Sequence, residues 1–185
     1  MNTKAGDLRY VGRFGQTFVC LGRLFRSFIF QNEWKVLPMS AVIAALVAMA
    51  IGSGLFTTME GTLQGTFALA CVCIWNGFFN SIQSVCRERA ILKREHRAGL
   101  HITSYVLAQM IYQMILCILQ SLITLIVCQY AKVVMPAAGV IADDPTGELL
   151  ITLFLITFAA DMLALLISSL VHSATTAMTL MPFML

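Results

Sequence analysis

RERAILKREHRAGLH, residues 87–101, separates two long apolar stretches and carries five of the chain's twelve Lys and Arg residues. A charged segment this short, entered and left by membrane spans, lies at one face of a bilayer. Arg89, Lys93, Arg94 and Arg97 follow one another turn by turn, while Ile91 and Leu92 give the segment an apolar side. The pattern predicts a short amphipathic helix able to meet both lipid headgroups and a second protein surface.

Composition supports the membrane setting. Of 185 residues, 59% are hydrophobic and 11% charged, and the mean hydropathy is +0.85. A soluble domain carries roughly 25% charged residues, so this is an integral membrane protein. The net charge of +3 does not point to nucleic acid, because topology distributes the basic residues. Residues 1–10 are polar and basic, unlike a cleaved signal peptide with its apolar core and small-residue cleavage site. The six cysteines (Cys20, Cys71, Cys73, Cys86, Cys117 and Cys128) read as small hydrophobes. The Cys71–Cys73 spacing suits neither a zinc knuckle nor a C-x-x-C redox pair. His96 and His101 flank the basic segment without a third ligand nearby, and His172 ends a span, so no metal is expected.

Outward from the basic segment, the apolar runs define about four spans: 36–56, 63–85, 102–131 and 149–171. The first, 21 residues without a charge, suffices for roughly 30 Å of hydrocarbon at about 1.5 Å per residue. The third is long enough to tilt or to project beyond the membrane. TTMEGT (57–62) reads as a tight polar turn, and residues 132–148, with Pro136, Gly139 and Asp143-Asp144-Pro145, as a loop. The last apolar run, 174–185, is too short to cross as a helix and reads as part of a fifth span, which would make the chain a fragment of a longer membrane domain. Ahead of the spans, residues 8–30 place Val11, Phe14, Phe18, Leu21, Phe25 and Phe28 at three- and four-residue steps. Arg9, Arg13, Arg23 and Arg26 lie on the other side. Such a helix lies in the plane of the interface with its arginines on anionic headgroups, or packs on a partner.

Basic residues set the orientation. Lys4, Arg9, Arg13, Arg23, Arg26 and Lys35 precede the first span, and five more lie at 87–97, leaving Lys132 alone elsewhere. Glu60, Asp143, Asp144 and Glu148 occupy the other loops. The positive-inside rule therefore makes the N-terminus and the basic segment cytoplasmic, in a plasma or inner membrane.

The spans hold polar residues. Gln109, Gln113, Gln120 and Thr124, spaced by 4, 7 and 4, fall within about 60° of one helix face at about 100° per residue. They could line a cavity or hydrogen-bond between helices, and Asn76 and Asn80, one turn apart, share both readings. Asp161 lies near the middle of the fourth span, where an ionised carboxylate costs about 2.5–3.5 kcal/mol. It must face the bundle interior and be paired, wet or protonated, with the third span's glutamines as candidate partners. It would line the cavity or lock spans together.

Glu88-Arg89, Ile91-Leu92, Arg94-Glu95, Gly99, Tyr105 and Ala108 together resemble the membrane domains of type-2 ABC exporters. The closest likeness is to the G-subfamily half-transporters (white, pleiotropic drug resistance and sterol exporters) and their bacterial relatives. The order of parts is similar too, from about residue 10 onward. The resemblance implies an all-α membrane fold: an in-plane connecting helix within 1–35, a transmembrane domain over 36–185, and a coupling helix at 87–100. Glu88, Arg89, Arg94, Glu95 and Gly99 would form the coupling interface. Arg89, Arg94 and Glu95 would contact an ATPase domain and the connecting helix near Arg23 or Arg26. Gly99 would end the coupling helix in a left-handed conformation. A nucleotide-binding domain, in the same full-length protein or a separate subunit, would hold ATP and Mg, and two membrane domains would pair as a homo- or heterodimer. The implied function is ATP-driven export of an amphipathic or lipid-like substrate. Two features depart from the family. Its last span and the large outer loop before it are missing. No G-x-x-x-x-G-K-[ST] phosphate loop occurs, so the chain is not expected to bind a cofactor or to be an enzyme on its own. A proton-coupled transporter centred on Asp161, and a non-transporting membrane anchor or assembly subunit, are the alternatives.

Overall fold

A computed structural model of the chain describes residues 12–30, 33–52, 55–131, 133, 139, 144–171, 173 and 175–179. Expectations for Val11, Arg9, Lys4, most of the 132–148 loop, His172 and the last residues lie outside that set. The described chain is helical: α1 (Arg13–Phe30), a short 3-10 turn (Glu33–Lys35), α2 (Val36–Ile51), α3 (Met59–Ser81), α4 (Ser84–Arg97), α5 (Ile102–Tyr130) and α6 (Pro145–Leu170). Four stretches are long and apolar enough to cross a membrane, and α4 continues the second of them.

Local chemistry sets the helix ends and shifts expected boundaries, among them both ends of α3. Thr58 is extended and accepts a hydrogen bond from the Gly61 amide at 3.2 Å, so α3 begins inside the polar TTMEGT segment rather than after it. The turn before it uses Gly52 and Phe56 at positive φ, 61° and 58°. Asp144 caps α6 through the Thr146 amide at 3.1 Å, with Pro145 in the first turn. The second boundary lies at Ile82-Gln83, where α3 yields to α4 within the stretch expected to be span. The amides of Val85 and Cys86, open donors in the first turn of α4, both bond the Ser168 hydroxyl of α6 at 3.2 Å. A side chain 82 and more residues away thus does the work of an N-cap.

The four spans pack as a ring in which α2 meets α3, α3 meets α6, α6 meets α5 and α5 returns to α2. At one end the core is Ala48, Leu55, Leu69, Cys73, Cys128 and Leu153. At the α4 end it is Phe78, Ile82, Ala160, Ala164 and Ala177. The α3–α6 contact is the closest. A methyl group at Gly77 would stand 2.8 Å from the Asp161 amide nitrogen and 2.9 Å from the Ala160 methyl, and would collide with the Thr157 carbonyl. Small residues let the two backbones approach, which is how helices associate when the solvent is itself apolar.

α1 packs along α5 through Cys20 and Leu24 against Ala108, Tyr112 and Leu116, with Leu21 and Phe28 alongside. Tyr112 takes Phe25 and Phe28 edge-on, with ring centroids at 5.7 and 6.3 Å. Of the apolar stripe expected, Leu21, Phe25 and Phe28 reach α5. The packed stripe is Thr17, Cys20 and Leu24, whereas Phe14 and Phe18 remain 79% and 72% exposed. Slim side chains allow α1 to lie close on α5 and leave those phenylalanines for the surroundings.

Candidate functional site: a charged helix junction above a buried polar layer

The α4–α5 connection is a tight turn held from outside by α1. Gly99 takes φ 103°, and the Leu100 and Gly99 amides return to the carbonyls of Glu95 and His96 at 3.0 and 3.1 Å. This is a Schellman ending, which needs a residue tolerant of positive φ. Gln16 of α1 straddles the turn: its amide nitrogen donates to the Gly99 carbonyl at 3.4 Å, and its oxygen accepts the His101 amide at 3.1 Å. The Ser104 hydroxyl closes the same corner on the Arg13 carbonyl at 3.1 Å.

Two turns further along α1, Arg23 bonds Glu95 and reaches Glu88 at 3.4 Å. Glu88 also accepts the Tyr105 hydroxyl of α5 at 2.9 Å. Arg23 is thereby the node joining α1, α4 and α5. Burial pushes the neighbouring Cys20 thiol above its ordinary range; Arg23 pulls it back, and Glu95 and Glu88 push it up again.

The residues singled out in 88–99 therefore divide. Glu88 and Glu95 face α1, and Arg89 turns to the end of α6, where it donates to the Ser169 carbonyl. Arg94 points outward, and Lys93 and Arg97 join it on the exposed side of α4. None of these three makes an ion pair among the described residues. Arg87 reaches Glu33 at 3.6 Å. The basic content of the segment drew attention to Lys93 and Arg97 without separating outward from inward charge. The spacing test that could have done so is the seven-residue step from Glu88 to Glu95, which puts both carboxylates on one helix face.

Beneath the junction lies a layer of buried polar side chains. Asn80 of α3 and Gln120 of α5 exchange two hydrogen bonds, at 2.8 and 3.0 Å. Gln113 donates to the Ser81 hydroxyl at 2.7 Å, and Ser81 donates to Asp161 at 2.6 Å. Gln109 bonds Ser84, and the Thr124 hydroxyl returns to the Gln120 carbonyl at 2.9 Å. Asp161 is wholly buried with no cation beside it among the described residues. It is linked to a glutamine of α5 as expected, but through Ser81 rather than directly. Among the described residues its second oxygen, Oδ2, has no hydrogen-bond partner, and neither have Gln109 Oε1, Gln113 Oε1 and the Ser121 hydroxyl.

A cavity of about 400 Å³ opens between α1, the start of α2, α3, α4 and α5. Asn80, Gln109 and Gln113 border it, together with Glu33, Arg87 and Glu88. Asn76, Gln120 and Asp161 do not border it; they are buried between the helices, Gln120 and Asp161 with their bonds directed at neighbouring spans. Gln109 and Gln113 of α5 border this hollow while bonding Ser84 and Ser81, and Gln120 bonds Asn80 away from it. Among the described residues, no three His, Cys, Asp or Glu side chains cluster as metal ligands would.

A family model described as the ABC-2 type transporter membrane domain matches residues 15–185. No curated protein and no solved structure matches the chain.

Proposed function

Because this chain belongs to the ABC-2 type transporter family and is the permease part of an ABC transporter, we propose that it forms half of an ATP-driven exporter, with α4 as the part that receives force. Membrane domains of this family partner with nucleotide-binding ATPase domains. On this reading such a domain, holding ATP and Mg, docks on the cytoplasmic side against Lys93, Arg94 and Arg97. A second membrane domain completes the path, and the cargo is amphipathic or lipid-like, as the likeness to G-subfamily exporters suggests.

The observation that carries the reading is Arg23, bonded to Glu95 and Glu88 while Glu88 holds Tyr105. A push on α4 displaces both carboxylates, and with them α1 and the first turn of α5, because charge-assisted bonds resist separation in a half-buried setting. Gly99 fixes the angle at which α4 meets α5, so the displacement tilts the span instead of dissipating in a loose loop. Asp161, with Ser81 and Gln113, acts in this scheme as a staple between spans.

The test is transport by the chain co-reconstituted with its ATPase domain in inside-out vesicles. ATP should drive uptake of a fluorescent lipid analogue, and collapsing a pH gradient should leave the uptake unchanged. Uptake driven by the pH gradient without ATP would instead favour a proton-coupled transporter centred on Asp161.

A further inference from the structure

A second hollow, also of about 400 Å³, lies on the opposite side of α4, between α4, α5 and α6. Its volume is within the range of about 300–1,000 Å³ typical of small-molecule sites. Its walls are chiefly Leu92, Val106, Met162, Leu165 and Leu166, and among the described residues the charged group at its border is Arg89, with no carboxylate in the lining. Val106 and Leu166 are 41% and 57% exposed, so the hollow opens sideways, where a bilayer would supply hydrocarbon. Arg89 lies at the end of α6 and uses an N–H on the Ser169 carbonyl. A guanidinium has five donors, so capping a helix end accounts for part of its capacity and does not account for the hollow beside it.

We infer that this groove is a site for an anionic phospholipid of the cytoplasmic leaflet, one acyl chain lying against α5 and α6 and the phosphate on Arg89. The charge pattern selects the occupant. A neutral chain fits the walls, a cation at headgroup level attracts an anion, and the absence of an acid along the border leaves nothing to repel it. Arginine suits the task because its planar fork binds phosphate by two parallel hydrogen bonds. A lipid seated here touches α4 directly, so the anionic content of the membrane would bear on the same helix that meets the ATPase. The inference concerns a resident lipid and holds whichever substrate is moved.

The experiment uses the full chain in phosphatidylcholine vesicles, with a Val106→Trp reporter in a background where Trp34 and Trp75 are replaced by Phe. Dibrominated phosphatidylglycerol should quench the reporter about fivefold more effectively than dibrominated phosphatidylcholine at equal mole fraction, the factor expected for one basic side chain near an anionic lipid (roughly 1 kcal/mol). Arg89→Gln should abolish that preference and Arg89→Lys should keep most of it. Equal quenching by the two lipids, or a preference indifferent to Arg89→Gln, overturns the assignment. So does quenching that disappears as the protein-to-lipid ratio rises, which would give the groove to a second copy of the chain. If Val106→Trp does not fold, Leu166→Trp on the exposed rim carries the same readout.

Discussion

Arg23 in α1 and Glu95 in α4 stand 72 positions apart in sequence and are bonded guanidinium to carboxylate. The pair joins a helix outside the ring of spans to the charged helix that continues the second span. Each such half-exposed ion pair contributes roughly 0.2–1 kcal/mol, too little to hold the fold together but enough to bias where α4 stands relative to α1, which itself packs on α5. Arg23→Glu, facing two carboxylates, should therefore leave the chain folded and lower ATP-dependent transport several-fold. Exchanging the charges, Arg23→Glu with Glu95→Arg, should recover part of it, since Glu88 would still oppose the new glutamate. A double-mutant cycle on transport rate checks this; simple additivity would show that the pair carries no coupling.

Asp161 sets the second expectation. Asp161→Asn retains an oxygen to accept from Ser81 and should assemble and melt close to the native chain. Asp161→Leu leaves the Ser81 hydroxyl without its acceptor between packed helices, at a cost of about 1–3 kcal/mol. Thermal unfolding in detergent distinguishes them. An asparagine variant as unstable as the leucine variant would mean that the charge, and not the hydrogen bond, matters here.

Gly77 should tolerate no side chain. Gly77→Ala puts a methyl group against the α6 backbone at Thr157–Asp161, and overpacking of this kind costs about 1–3 kcal/mol. Ala70→Gly, a loss of helix propensity elsewhere on α3, should cost about 1 kcal/mol. Comparable melting temperatures for Gly77→Ala and the native chain would contradict the close approach of α3 and α6.

Cys20 reports on whether α1 stays docked. Because burial raises its thiol, the docked form holds the proton more tightly than the undocked form. Raising pH through the thiol's ordinary range therefore ionises the undocked form first and favours undocking. Iodoacetamide labelling of a chain retaining only Cys20 should be slow at neutral pH and rise with alkalinity more steeply than thiolate formation in a free peptide. Arg23→Gln should speed it at every pH. A rate that merely follows free-thiol ionisation would show α1 undocked throughout.

The sequence announced the spans, because runs of apolar residues long enough to cross a bilayer have few other uses. It also marked the inward face of α5: the 4, 7, 4 spacing of Gln109, Gln113, Gln120 and Thr124 puts all four on one side, and all are buried. It did not reveal which face of α1 meets protein. Hydrophobicity marks what avoids water, and in a membrane lipid serves that purpose as well as a neighbouring helix does. Thus Leu21, Phe25 and Phe28 of the stripe read in the sequence reach α5, Phe14 and Phe18 do not, and the buried Thr17, Cys20 and Leu24 were not singled out. Nor was the bend into α4 legible, because its missing cap is supplied by Ser168 from a helix that comes later in the chain. Asp161 was recognisable as a charge needing a partner; that the partner would be Ser81, 80 positions away, depends on the crossing of α3 and α6.

The central claim, that α4 is where an ATPase domain delivers force, is tested most directly by disulfide cross-linking of single cysteines to that domain in a background lacking the native thiols. Lys93→Cys and Arg94→Cys, on the exposed side of α4, should cross-link and change their yield between nucleotide-free and ATP-bound states, whereas Glu95→Cys, turned toward α1, should not. Cross-linking from Glu95→Cys alone, or none from any of the three, would contradict the account.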